Sequence, residues 1–115
     1  MQDLPKQVKR MLREHAAAAY EEELRRALVP LAEAFHRWSE GQLGSGELSA
    51  LIHGFHQGPA RELWVRYNPG STSRLDMPVA YAIVTGVLDR KAVPAELLEH
   101  LARAIGFYEA EHASS

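Results

Sequence analysis

The feature that most constrains this chain is the recurrence of apolar side chains every three or four positions along nearly its whole length. That spacing puts side chains on one face of an α-helix, whereas a half-buried strand needs alternation at every second residue. No segment alternates in that way over several positions, and β-branched residues are few. The sequence therefore predicts an all-α fold, a compact bundle of about five helices.

Length and composition narrow the class of protein. A chain of 115 residues is long enough to build one core, so we expect a single helical domain over 1–115. Cysteine is absent, which excludes disulfides, thiolate metal sites and cysteine nucleophiles. The first fifteen residues contain no apolar signal region, and the longest apolar run, Met77–Leu88, is too short to cross a bilayer. We expect a cytoplasmic protein with no membrane partner.

The first forty residues predict a long helix interrupted by Pro30. Pro5 suits the start of this helix, where its missing N–H costs nothing. Pro30 must remove the hydrogen bond to the carbonyl of Arg26 and press against that turn. We therefore expect a kink near residues 26–30, or two abutting helices. The predicted apolar stripes are Val8, Leu12, His15 and Ala19, followed by Leu24, Leu28, Leu31, Phe35 and Trp38.

Glycine and proline divide the middle of the chain. Glycines at 41, 44 and 46 predict a turn, after which Ser45 is the expected N-cap of a second helix. Gly58-Pro59 predicts the end of that helix and the start of the next. The second helix is expected to present an apolar face of Leu48, Leu51, Ile52 and Phe55, and the third to bury Ala60, Leu63, Trp64 and Tyr67.

The last third of the chain carries the most apolar segment. Residues 68–76 predict a mobile loop, after which Asp76 is the expected helix cap. The helix near Pro78–Leu88 is apolar almost all round and should lie at the centre of the bundle. Pro94 should open a last helix that frays past Glu109. Its predicted buried stripe is Leu97, Leu98, Leu101, Ile105 and Tyr108.

Residues 53–67, HGFHQGPARELWVRY, concentrate titratable and aromatic side chains more than any other stretch. Arginine, tryptophan and tyrosine are enriched at binding hot spots, so this segment favours an anion- or peptide-binding surface. The alternative is that Trp64 and Tyr67 are core residues while Arg61 and Arg66 pair with acidic neighbours. The predicted interaction surface is His53, His56, Arg61, Trp64 and Tyr67.

Metal binding is the competing hypothesis. His53 and His56 lie one helical turn apart and could chelate a metal with His36 and a carboxylate from Glu33 or Glu62. Histidines that border the core or lie at a helix end explain the same spacing. Two E-x-x-H pairs, Glu33–His36 and Glu109–His112, resemble half of a di-iron site, but five short helices lack its long frame.

Other chemistry leaves weaker signals. No nucleophile elbow, phosphate-binding loop or dinucleotide fingerprint is present, so we predict no catalytic residue and no cofactor, and the residues favour a role other than catalysis. Lys6, Lys9, Arg10 and Arg13 align on one helix face, which suits either a solvated surface or a phosphate backbone. The net charge of −2 disfavours nucleic acid as a partner.

The segment 47–68, ELSALIHGFHQGPARELWVRYN, resembles part of a family of short, uncharacterised bacterial proteins. The shared pattern is an L-I-H-x-F-H-x-G-x-x-R-E-L core, then a helix of the Val79–Leu88 kind and a last helix opened by Pro-Glu. The resemblance implies a cytoplasmic bacterial helical domain and transfers no catalytic or binding residue. We therefore expect a small interaction or regulatory protein whose partner is another protein or a second copy of itself.

Overall fold

The computed structural model describes residues 4–114, and every regular element in that range is helical. Five helical runs form the fold, because a π-helical segment joins the second and third helices into one run. The predicted all-α class and the number of helices are confirmed. The helices are α1 (Lys6–Ser39), α2 (Ser45–Phe55), α3 (Arg61–Tyr67), α4 (Asp76–Val84), α5 (Ala95–His100) and α6 (Ala102–Ser114), with the π segment at His56–Ala60 and 3-10 turns at Thr72–Leu75 and Arg90–Ala92.

The length of α1 sets the shape of the molecule. At 1.5 Å per residue its 34 residues span ~51 Å, close to the longest dimension of 56 Å. Pro30 lies inside this helix without dividing it, so the expectation of two abutting helices is wrong. One proline removes a single hydrogen bond, and the turns on either side keep theirs. A kink near residues 26–30 stays a prediction.

The main core lies where the first half of α1 meets α4, α5 and the 3-10 turn that precedes α4. Helix α4 packs against both α1 and α6, and four of its nine residues are buried, which confirms its central position. It ends at Val84 rather than Leu88, because the chain turns at Gly86, whose φ of +81° favours glycine. The buried core residues include Val8, Leu12, Ala19, Val79, Ile83, Leu97, Leu101 and Ile105.

The predicted last helix is two helices, α5 and α6, which meet at Leu101. Its buried stripe is confirmed at Leu97, Leu101 and Ile105. The expected fraying past Glu109 is wrong, because α6 remains helical to its end at Ser114. Arg90 reaches Glu109 at 3.4 Å, and this contact helps to hold the last turns against the bundle.

The helical run does not break at Gly58-Pro59. Residues on both sides keep right-handed helical dihedral angles, and the five residues between α2 and α3 form a π turn. Proline cannot donate to the carbonyl four residues earlier, but the wider π turn lets the next N–H reach that carbonyl instead. The predicted helix boundary is therefore wrong, and α2 and α3 belong to one continuous helical run.

Two predicted caps and one predicted loop are also corrected. Ser45 and Asp76 are first helical residues rather than caps, and their side chains contact other helices instead. Ser45 accepts a hydrogen bond from the Trp38 indole at 3.0 Å, while Asp76 pairs with His100 at 3.0 Å. The expected mobile loop at 68–76 contains a 3-10 turn, which buries Leu75 in the main core.

Beyond the main core, the second half of α1 and α2 form a helical hairpin. Gly41, with φ of +76°, ends α1, and the Gln42 N–H donates to the Arg37 carbonyl at 2.8 Å, as in a Schellman motif. Of the apolar face predicted for α2, only Leu48 is buried. The small second core consists of Ala34, Leu43 and Leu48. Among residues 4–114, no helix is both long and apolar enough to cross a membrane.

Candidate functional site: an aromatic groove around Trp64

Trp64 is the most exposed aromatic side chain of the described residues, at 58%. The helical spacing predicted a buried position for Trp64, which is wrong, whereas the predicted interaction surface requires it to be exposed. Leu63 and Tyr67, one turn apart, occupy the face of α3 that meets α1, and Trp64 lies about 100° further round the helix. Helix α3 therefore turns the Leu63 and Tyr67 side of the predicted face towards α1, and Trp64, at the edge of that face, is left open to solvent.

Two concave regions flank this indole, with volumes of about 360 and 440 Å³. Both are lined by Trp64 from α3 and Tyr20 from α1, so these two rings separate them. We call the two regions together the Trp64 groove. Its first part is lined by Arg13, Ala16, Ala17, Tyr20, Trp64, Tyr67, Asn68, Pro69, Ser71, Thr72 and Leu75, and its second part by Tyr20, His56, Gln57, Ala60, Arg61 and Trp64.

Tyr67 forms part of the floor of the groove. It is 7% exposed, and its ring lies 5.9 Å from that of Tyr20. Its hydroxyl donates to Glu23 at 2.5 Å, and Arg66 contacts the same carboxylate at 3.2 Å. Burial, followed by the hydrogen bond to this anion, raises the pKa of Tyr67 well above its usual range. The burial that the helical spacing predicted for Tyr67 is confirmed, and Tyr67 contributes to the predicted interaction surface from below, where it positions α3 on α1.

The arginines of this region divide into two kinds. Arg66 pairs with Glu23, as the core interpretation of the sequence expected, whereas Arg13 and Arg61 form no ion pair or hydrogen bond within residues 4–114. None of the described residues that line the groove is acidic. The Trp64 groove therefore combines the rings of Tyr20, Trp64 and Tyr67 with two guanidinium groups that have no counter-ion among residues 4–114.

Among residues 4–114, the structure does not bring His53 and His56 together with a third possible metal ligand. His53 and His56 are both exposed, and no group of three histidine or carboxylate side chains within 4–114 comes together to hold a metal ion. His56 borders the groove, whereas His53 lies outside its lining. Of the second E-x-x-H pair, Glu109 contacts Arg90 and the His112 ring lies 6.3 Å from that of Tyr81.

Sequence reasoning missed the contribution of α1 to this site. Tyr20 lay between the two predicted stripes, and Arg13 was noted only as part of the basic face. That face forms a shallow depression in which Arg10 contacts Glu14 at 3.8 Å. The spacing of Arg13, Ala17 and Tyr20 by four and three residues places them on one side of α1, which is the signal that could have linked them.

No protein-family model, no curated protein and no solved structure matches this chain. The resemblance of residues 47–68 to a family of bacterial helical proteins stays a prediction. The geometry and charge of the chain itself are the basis for its proposed function.

Proposed function

We propose that this protein is a cytoplasmic binding module that docks an acidic, partly apolar segment of another protein in the Trp64 groove. The observation that carries the proposal is an indole left 58% exposed between two concave regions whose described lining contains arginines and no carboxylate. The absence of cysteine is compatible with the reducing compartment.

The aromatic part of the groove supplies the affinity. A tryptophan side chain has ~250 Å² of surface, so covering the exposed part of Trp64 contributes at most about 3.6 kcal/mol at 25 cal/mol per Å². Tyr20 of α1, whose ring packs on that of Tyr67, lines the groove together with the indole. Because these rings are held by packed helices, little side-chain freedom is lost when a partner binds.

The charged part of the groove supplies the selectivity. Arg13 and Arg61 come from different helices and line opposite parts of the groove. A partner with carboxylates on either side of an apolar residue would give each guanidinium a counter-ion. Such pairs mainly raise the association rate and exclude basic partners, and their effect weakens as salt screens them.

The walls of the groove favour a peptide over a bare anion. Ala16, Ala17 and Leu75 line its first part, while Ala60 lines its second part. Apolar walls of this kind accept side chains, whereas a phosphate group needs converging N–H or guanidinium donors. For the same reason the groove favours a protein segment over nucleic acid as its occupant.

The test uses Trp64 as its own reporter. The chain has two tryptophans, so a Trp38→Phe variant leaves Trp64 as the single fluorophore. A twelve-residue peptide that alternates glutamate with leucine or phenylalanine should shift its emission to shorter wavelength and bind more weakly as salt rises. The same peptide with lysine in place of glutamate should not bind.

Three variants separate the groove from general charge effects. Arg13→Gln and Arg61→Gln should each weaken binding several-fold, while Arg37→Gln, an exposed arginine of α1 outside the groove, should leave it unchanged. Equal binding of the acidic and basic peptides would contradict the proposal. So would tighter binding of a single-stranded oligonucleotide that competes with the acidic peptide.

A further inference from the structure

We propose that the hairpin formed by the second half of α1 and α2 pairs with the same hairpin of a second copy, which gives a four-helix bundle at the centre of a homodimer. The surface is distinct from the Trp64 groove. Its main part, which we call the distal seam, consists of Leu28, Leu31, Phe35 and Trp38 on α1.

Burial gives the first argument. Of the described residues 24–39 of α1, Ala34 alone is buried, whereas the preceding half of the helix buries five residues. Leu28, Phe35 and Trp38 are each exposed by 40% or more. On α2, Leu51 and Ile52 are exposed on either side of Leu48, the residue that packs against α1. The hairpin thus leaves most of its apolar side chains uncovered.

Spacing gives the second argument. The distal seam residues follow one another by three, four and three positions, which is the repeat that pairs helices in a coiled coil or bundle. Ala32, beside the seam, is exposed, and its small side chain allows a second helix to approach closely. The seam alone is shorter than a stable coiled coil needs, so Leu51 and Ile52 must extend the contact.

Charge identifies the occupant as a second copy. Arg26, Glu33 and Arg37 lie on the side of this half of α1 opposite the seam, and Arg25, which flanks the seam, pairs with Glu22 at 3.0 Å. On α2 the only charged side chain other than histidine is Glu47, near its start. An uncharged face can meet its own copy across a two-fold axis without opposing like charges. It offers nothing to select an acidic or basic partner.

Area is consistent with a reversible dimer. A large apolar side chain has ~150–250 Å² of surface, so five of them exposed to about two-fifths present on the order of 400 Å² per copy. That is as large as the largest apolar patch of a typical monomer and about half of the ~800 Å² per partner of a standard interface, which is the size expected for a weak, reversible contact. We expect dissociation in the micromolar range.

The test is sedimentation equilibrium across a concentration series from about 1 to 500 µM. The wild-type protein should move from one to two chain masses over that range. Phe35→Glu should remain a monomer throughout. Val29→Glu is the matched control, because Val29 is as exposed as Phe35 but lies on the far side of α1, and it should dimerise like the wild type.

A second readout keeps the test valid if Phe35→Glu fails to fold. In a Trp64→Phe variant, Trp38 is the single fluorophore and lies on the distal seam, so its emission should shift to shorter wavelength as concentration rises. A wild-type monomer at 500 µM, or a Trp38 emission that does not depend on concentration, would overturn the proposal. Equal loss of dimer in Phe35→Glu and Val29→Glu would overturn it too.

Discussion

The two halves of α1 present the same pattern of apolar residues, but one half is buried and the other is largely exposed. From Lys6 to Glu23 the helix buries Val8, Met11, Leu12, Ala16 and Ala19 under α4, α5 and the turn before α4. From Leu24 onward it buries Ala34 and leaves much of its apolar stripe in contact with water. The difference lies in what the rest of the chain covers. Helical periodicity specifies which face is apolar, and the number of remaining helices decides whether that face is covered.

The largest expected effect comes from the covered half. Leu12 is fully buried, so Leu12→Ala should lower the free energy of unfolding by about 3 kcal/mol through lost burial and the cavity left behind. Leu28→Ala, in the open half, should cost under ~1 kcal/mol at low protein concentration, where the seam is wet. Urea denaturation of both variants measures the difference, and equal losses would remove the distinction between the halves.

A substitution at Pro30 tests whether the two halves of α1 open independently of each other. Pro30→Ala restores an N–H that can donate to the Arg26 carbonyl, and it should stabilise this part of α1 by about 1–3 kcal/mol. Because the distal half packs weakly on the main core, we expect the gain in the hydrogen exchange of amides 27–39. A gain spread equally over amides 7–23 would mean that α1 opens as one unit.

Tyr67 tests how firmly α3, and with it the groove, is held to the covered half. Tyr67→Phe removes the hydrogen bond to Glu23 and should lower the free energy of unfolding by about 1–2 kcal/mol. The raised pKa of Tyr67 means that its contribution is complete below the unfolded value of about 10 and is lost as pH rises beyond it.

Between pH 8 and 11.5, the free energy of unfolding should therefore decrease less steeply with pH in Tyr67→Phe than in the wild type. Identical slopes would contradict the assigned contact. Glu23→Gln is the companion variant, because it keeps an oxygen acceptor while removing the charge that disfavours the phenolate.

The smallest effect lies at the junction of the two halves. Hydrogen bonds from Arg25 and Arg26 lower the pKa of Glu22 to about 2. Its contribution to stability is present above the unfolded pKa and is lost only as pH falls towards 2. Carboxyl-detected NMR of the native protein should show Glu22 ionised at pH 3. Protonation near pH 4.5 would show that the pair is not formed.

The covered part of the molecule was readable from the sequence. The stripes at Val8–Ala19 and Leu97–Ile105, and the central place of α4, follow from spacing and composition because burial there needs only a helix and a neighbour. The ends of elements were less readable. Gly58-Pro59 suggests a break, and only the chain's ability to adopt a π turn keeps the run continuous.

Only part of the candidate site could be predicted from the sequence. Composition alone indicated Arg61 and Trp64, since these residue types are common at interfaces. Whether Trp64 is core or surface depends on how α3 is rotated against α1, and a short helix with apolar residues on more than one side leaves that open. Tyr20 and Arg13 come to the groove from forty or more residues away, which no local pattern can report.

Hydrogen exchange resolved along α1, measured at a high and a low protein concentration, tests the central claim most directly. The account predicts that amides 7–23 keep the protection of the global core at both concentrations, while amides 27–39 lose protection when the protein is diluted below its dimerisation range. Protection that is uniform along the helix and independent of concentration would contradict it.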